Sequence, residues 1–239
     1  MGHKSEEKLI IDGKRLDGRA LNELREIDMK VGVVSRATGS ALVRFGNSVA
    51  IAAVYGPREL FPRFLQQSEA GILRVRYNMA PFSVDDRKSP GPDRRSVEIS
   101  KVIRSALEEV IFLEEFPKAT IDVFVEILQA DGSTRVTAIN AASLALASAG
   151  IPMRDLVSAC SIGKVDGQLV VDLNGKEDNF GETDMALALQ GSRKNVTLLQ
   201  MDGVLTNEEF EKLLNLAKEN CIKIYELQKK VLKENYKRF

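Results

Sequence analysis

Hydrophobic and polar positions along the chain follow two patterns. The first is alternation: Ile27, Met29, Val31 and Val33 take every second place, as a strand with one buried face requires. Runs 40–45 and 48–55 flank Gly46-Asn47 and predict a hairpin whose second strand Gly56-Pro57 breaks. Residues 72–79 return as a strand that sets Arg74 and Arg76 on one face, which is therefore not a dry core face. Ile121, Val123, Val125 and Ile127 alternate again. The second pattern has helical spacing: Ile99, Val102, Ile103, Ala106, Leu107, Val110 and Ile111 form one apolar side behind Asp93, an N-cap.

Between residues 136 and 149 the chain is almost entirely Ala, Ser, Leu and Ile, with six alanines (138, 141, 142, 145, 147, 149). This predicts a buried helix that lets neighbouring backbones approach closely, capped by Gly150 and stopped by Pro152. Beyond it come a hairpin (157–164 and 168–173 around Val165-Asp166-Gly167), a loop (174–184), and strands at 185–190 and 196–201. The capping box Thr206 to Glu209 opens a final helix that reaches about Tyr236. Strands followed by helix occur twice, so the fold class is α+β with duplicated halves. The expected division is a tail (1–16), a first half (17–150) and a second half (151–239), together one compact unit.

With 44% hydrophobic and 28% charged residues over 239 positions, this is the composition of a globular chain. No run approaches the roughly 18 apolar residues of a membrane span, and the polar start predicts no signal peptide. His3, the only histidine, lies in the tail, so histidine catalysis or a histidine metal site is not expected. Cys160 and Cys221 are too few for a disulfide framework or a zinc site, which favours a reducing, cytoplasmic location. Net charge is zero, but its distribution is uneven: residues 74–104 hold eight basic and four acidic side chains, and residues 172–184 hold five acids and one lysine. Such a pairing suits a polyanion bound beside a metal or a carboxylic acid.

Candidate chemistry follows from these segments. The turn Asp131-Gly132-Ser133-Thr134-Arg135 joins a strand to the buried helix, so unpaired N–H groups and the helix dipole make an anion site beside Arg135. Arg94 and Arg95 stand in the first turn of the earlier helix, where cations oppose the dipole at about 0.3–1 kcal/mol each. Either an anion docks at that helix start, or both arginines lean on Asp85, Asp86 or Asp93. Arg63, between Pro62 and Phe64, is surface decoration or a ligand. Asp178 and Asp184 flank Gly181; they form a solvated acidic loop, or they ligate a hard cation such as magnesium with one kept as a general acid. Charge clamps, a metal and a proton donor together are what phosphoryl transfer needs.

Several motifs are then specific in combination: Asp17-Gly-Arg19, Ala53-Val-Tyr-Gly-Pro-Arg58, Arg74-Val-Arg-Tyr-Asn-Met-Ala-Pro-Phe-Ser83, Pro90-Gly-Pro-Asp-Arg-Arg95, Leu128-Gln-Ala-Asp-Gly132, Ala149-Gly-Ile-Pro-Met-Arg-Asp155 and Glu177-Asp-Asn-Phe-Gly-Glu-Thr-Asp184. From about Ile10 to Tyr236 the chain resembles the RNase PH family, most nearly the catalytic RNase PH-type subunits of the archaeal exosome. The resemblance implies a fold of two halves of the ribosomal protein S5 domain 2-like type. It also implies phosphorolysis of single-stranded RNA from the 3′ end, with inorganic phosphate as co-substrate and nucleoside diphosphates as products.

By that resemblance Ser133, Thr134 and Arg135 hold phosphate, with Arg95 also reaching it, and Arg94, Arg95 and Arg63 contact RNA. Asp178 is the expected general acid and Asp184 the expected magnesium ligand. Ser133 stands where the family usually has a second glycine, and it weakens phosphate binding or lends its hydroxyl. The implied partners are an inactive homologous subunit alternating in a hexameric ring and RNA-binding cap subunits, with no membrane. The competing readings are a non-catalytic RNA-binding ring subunit and a metal-dependent hydrolase that uses water.

Overall fold

The structure is a computed structural model that describes residues 8–237. His3 and the first part of the expected tail lie outside the described residues. A two-stranded ribbon, β1 (Ile10–Ile11) and β2 (Lys14–Arg15), precedes a five-stranded sheet of β3 (Ile27–Val31), β4 (Gly39–Phe45), β5 (Ser48–Glu59), β6 (Ile72–Met79) and β7 (Ala119–Gln129). Its order is β3-β4-β5-β7-β6, antiparallel except for the parallel pair β6–β7. That pair is joined by helix α1 (Arg94–Glu108), the kind of crossover a parallel connection needs. Gly56-Pro57 does not end β5 as expected. Pairing with β7 is interrupted after Tyr55 and resumes at Arg58 opposite Thr120, so the break is an irregularity within one long strand.

Helix α2 (Thr134–Ser148) is the run of small residues, and twelve of its fifteen residues are buried. A helix apolar all round belongs inside a core, and α2 packs against both sheets. Gly39 of β4 makes this possible: a Cβ there would lie 2.2 Å from the Ala149 nitrogen. Asn140 is one of four buried polar residues in α2, with Thr134, Thr137 and Ser143. Its side chain pairs with the Ala159 backbone in both directions (2.8 and 3.1 Å) and accepts from Gln228 at 3.0 Å, which fixes the helix register in the apolar surroundings.

The second sheet, in order β11-β10-β8-β9, comprises β8 (Val157–Val165), β9 (Gln168–Val171), β10 (Thr183–Gln190) and β11 (Asn195–Gly203). Helix α4 (Asn207–Tyr236), opened by the Thr206/Glu209 capping box, covers it. One expectation fails here. Residues 174–184 are not a plain loop, because Gly175–Phe180 form helix α3. Asn174 caps that helix by accepting from the Lys176 and Glu177 amides, and Glu177 reaches back to the Asn174 amide at 2.9 Å. The short helix has no room for apolar periodicity, which is why pattern alone misses it.

Two buried ion pairs clamp the N-terminal segment to this region. Arg15 donates through Nε to Glu177 at 2.7 Å, and Arg25 donates to both oxygens of Asp172 at 3.0 and 2.7 Å. Arg25 also donates to the Asp131 carbonyl at 2.6 Å, so a single guanidinium bridges the N-terminal segment, the second sheet and the turn before α2. The Arg25 and Asp172 side chains are only 5% and 1% exposed. Removing one member of such a pair strands the other charge, at a cost of about 3–5 kcal/mol. Arg25→Ala is expected to lower unfolding stability by roughly that amount in urea titrations; a loss under about 1 kcal/mol would show that the pair does not hold the segment.

Candidate active site

The expected anion turn is built by backbone left without caps. At the α2 N-terminus Ser133 is left-handed (φ 54°) and caps no amide, and Gly132 before it has φ 70°. The first-turn N–H groups of α2 therefore keep their donor capacity. The Ser133 hydroxyl is not available to a ligand as expected. It shares a 2.5 Å hydrogen bond with Ser161 and donates to the Leu173 carbonyl at 2.8 Å, so this position pins the turn to the second sheet. A short polar side chain tolerates the left-handed region best after glycine, which is how serine occupies a glycine-like place.

Thr134 lines the cleft, and its hydroxyl accepts from the buried Tyr77 hydroxyl at 3.0 Å. With its lone pair so engaged, the Thr134 O–H is free to donate outward. Arg135 carries a buried Nε with no partner inside the protein. An orphaned buried donor is costly; Arg135 does not itself line the cleft, but its charge bears on Asp178 and Asp184.

The acidic pair stands across from this turn. Asp178 lies on α3, and Asp184 lies on β10 opposite Gly163 and Asp202 of the neighbouring strands. The two carboxyl groups are close enough to influence each other's protonation. Burial and the nearby Asp178 charge push Asp184 up to about 7, with Arg135 opposing. Burial also raises Asp178, with Arg95 and Arg135 opposing, so the pair holds a proton more readily than free carboxylates do.

The α1 start is occupied in a way the sequence left open. Asp93 caps it, accepting from the Ser96 amide at 2.7 Å, and Lys88 pairs with Asp93 at 2.8 Å. Lys88 and Ser96 hold the Asp93 carboxyl down to about 2. Among the described residues neither Arg94 nor Arg95 forms an ion pair, so the arginines do not lean on Asp85, Asp86 or Asp93. Arg95 lines the cleft. Arg94 does not: consecutive helical residues lie about 100° apart, and only one of the two can share that face. Arg63, on a 3-10 turn (Arg63–Leu65), is exposed and pairs with Glu59 at 3.5 Å, outside the cleft. Tyr77, Lys88 and Lys176 were not singled out by pattern; Tyr77 is hidden in ordinary strand alternation, and the lysines in a charged loop and a short helix.

The result is a cleft of about 910 Å³ with Arg95, Thr134 and Gly132 on one part of its lining and Asp178 and Lys176 on another. Among the described residues no cluster of three or more His, Cys, Asp or Glu side chains that could hold a metal occurs. The two carboxylates nonetheless suit a hard cation that takes its remaining ligands from water and phosphate, as magnesium does.

Two family profiles match the chain: "3′ exoribonuclease family, domain 1" over residues 23–152 and "3′ exoribonuclease family, domain 2" over residues 155–220. The chain belongs to the RNase PH family of 3′ exoribonucleases. An exosome complex component Rrp41 from Pyrococcus furiosus is 60% identical over 230 residues, covering 96% of this chain and 92% of that protein. The Rrp41 of Thermococcus kodakarensis is 58% identical over 237 residues, 99% of this chain and 95% of the relative. Among solved structures, rice Rrp46 superposes with a TM-score of 0.82 at 25% identity, over 92% of this chain and 100% of that one. An Archaeoglobus fulgidus exosome with RNA bound to the active site gives 0.79 at 24% identity over 90% and 92%. These likenesses bear out the expected fold.

Two outcomes test the site itself. Folded Asp184 retains a proton between pH 3.8 and about 7 that the unfolded chain has released, so stability falls as pH rises through that window. Asp184→Asn abolishes the loss: relative to the parent its Tm should climb by several degrees from pH 4 to pH 7, at about 2–4 °C per kcal/mol, and then level off. A difference that stays flat across this range would exclude the shared proton. Tyr77→Phe removes one neutral hydrogen bond worth about 0.5–1.5 kcal/mol. It should lower Tm by about 1–6 °C and weaken inorganic phosphate binding roughly 2- to 10-fold by calorimetry; unchanged phosphate affinity would show that Thr134 needs no orienting.

Proposed function

We propose that the chain is the phosphorolytic 3′-to-5′ exoribonuclease subunit of an exosome complex, acting on single-stranded RNA. The observation that carries this reading is one cleft in which an uncapped helix start and Arg95 meet Asp178, with Arg135 and Asp184 acting on that carboxyl from beside the lining. Phosphate held by the Thr134 and Arg135 amides, the Thr134 hydroxyl and Arg135 presents an oxygen to the terminal phosphodiester. Its bond to phosphorus forms as the phosphorus–O3′ bond breaks; the terminal nucleoside leaves as its diphosphate, and the shortened RNA keeps its 3′ oxygen, which needs a proton.

The carboxyl pair supplies that proton. In the free protein Arg95 and Arg135 restrain Asp178. Phosphate and an RNA phosphodiester compensate these arginines, and a nearby anion favours the protonated acid. Loading the cleft therefore shifts the shared proton toward Asp178, which becomes the donor only with both substrates present. Magnesium, held by Asp184 with Asp178 beside it, would supply charge neutralisation on the reacting phosphates. Arg94 and Arg63, outside the cleft, act on RNA further along its path.

The proposal includes a hexameric ring with an inactive homologous partner, RNA-binding caps and a cytoplasmic location. Two unpaired, buried thiols suit that location. The presence of Arg135, Asp178 and Asp184 together disfavours a non-catalytic scaffold, and the phosphate turn disfavours a water-using hydrolase.

With its ring partner, the protein should release nucleoside diphosphates from single-stranded RNA only when phosphate is added. Monophosphates formed irrespective of phosphate would overturn the reading. Asp178→Asn should lower kcat by about 10²- to 10⁴-fold, the usual share of a general acid, with RNA affinity little changed; full turnover would remove Asp178 from the acid role.

A further inference from the structure

Phe82 is 75% exposed in a cleft otherwise furnished for anions, and Phe180, 42% exposed, lines the same cleft from the end of α3. Leaving a phenylalanine in water forgoes about 1.5–3 kcal/mol relative to burying it. The backbone carrying Phe82 is not loose. The Ala80 amide donates to Ile127 at 2.9 Å, the Ser83 amide to Ala80 at 2.9 Å, the Lys88 amide to Pro81 at 3.1 Å and the Ala130 amide to Ser83 at 2.9 Å. The last of these ties the turn to the residue just before Asp131, so the ring is carried on the same rigid frame as the phosphate turn. A pinned turn that presents an unsatisfied aromatic face beside the candidate phosphate turn matches the design of single-strand binding sites. There charge tracks the backbone and aromatic rings stack on bases without reading them.

We infer that Phe82, with Phe180 as a second aromatic surface, is a nucleobase-stacking site that seats the 3′-terminal region of the RNA. The inference rests on the exoribonuclease reading above. Stacking on a π-face is indifferent to base identity, so this site lets one cleft accept successive nucleotides of any sequence while the arginines hold their phosphates. It also supplies binding that phosphate contacts cannot, namely a hold on the base itself that weakens little with salt.

The test is carried out on the assembled complex with oligoadenylate and with the same RNA made abasic at its 3′-terminal positions. Phe82→Ala should raise KM for oligoadenylate about 5- to 100-fold, matching the 1–3 kcal/mol that a stacked base contributes. It should change KM for the abasic RNA less than about 2-fold, leave KM for phosphate unaltered, and be rescued by Phe82→Trp. Equal losses on both RNAs, or no loss on either, would overturn the inference; equal losses would mark Phe82 as a packing or subunit contact. Failure of the parent complex to form diphosphates would instead overturn the function on which the inference rests.

Discussion

The site depends on one close approach of two backbones. Gly132 in the turn before α2 lies against Asn174 and Gly175 at the start of α3, and a Cβ on Gly132 would meet the Asn174 carbonyl carbon at 2.6 Å. Asp131 holds the contact by accepting from the Gly175 amide at 2.9 Å, and Ser133 holds it by donating to Leu173. The anion turn follows the first sheet's last strand, and the acidic pair comes from α3 and the second sheet. Their chemistry shares a cleft only because side-chain volume is missing at this point.

Around that contact, the fully buried charges have fixed partners and the more accessible ones at and beside the cleft do not. Arg15 with Glu177 and Arg25 with Asp172 are satisfied and inaccessible. Arg135 keeps an orphaned donor, Arg95 has no carboxylate partner, and Asp178 and Asp184 must share a proton. The tension is confined to groups that substrate can relieve. Such preorganised, unsatisfied polarity is the usual source of electrostatic stabilisation in catalysis.

Much of this was legible beforehand, for physical reasons. Strand alternation and the small-residue run of α2 reflect burial, which acts directly on residue type. The anion turn was legible because a strand entering a helix through glycine must leave amides unpaired. Other features carry no such local signal. Arg25 and Asp172 are separated by 147 positions, and nothing in their spacing announces a pair. Helix α3 was marked only by the Asn174 and Glu177 capping box, which the absence of apolar periodicity concealed. The inward turn of the Ser133 hydroxyl follows from where Ser161 and Leu173 happen to sit, and Arg94 and Arg95 are parted by helical rotation alone.

A bound oxyanion and a cation are expected to meet between α2, α1 and the acidic pair. A crystal structure of the protein with phosphate and manganese, read by anomalous scattering, tests it most directly. The account predicts a tetrahedral anion about 2.7–3.2 Å from the Thr134 and Arg135 amides and within reach of Arg95, with the manganese peak on Asp184 and Asp178. Phosphate seated elsewhere, or manganese absent from the carboxyl pair while occupying other acids, would contradict it.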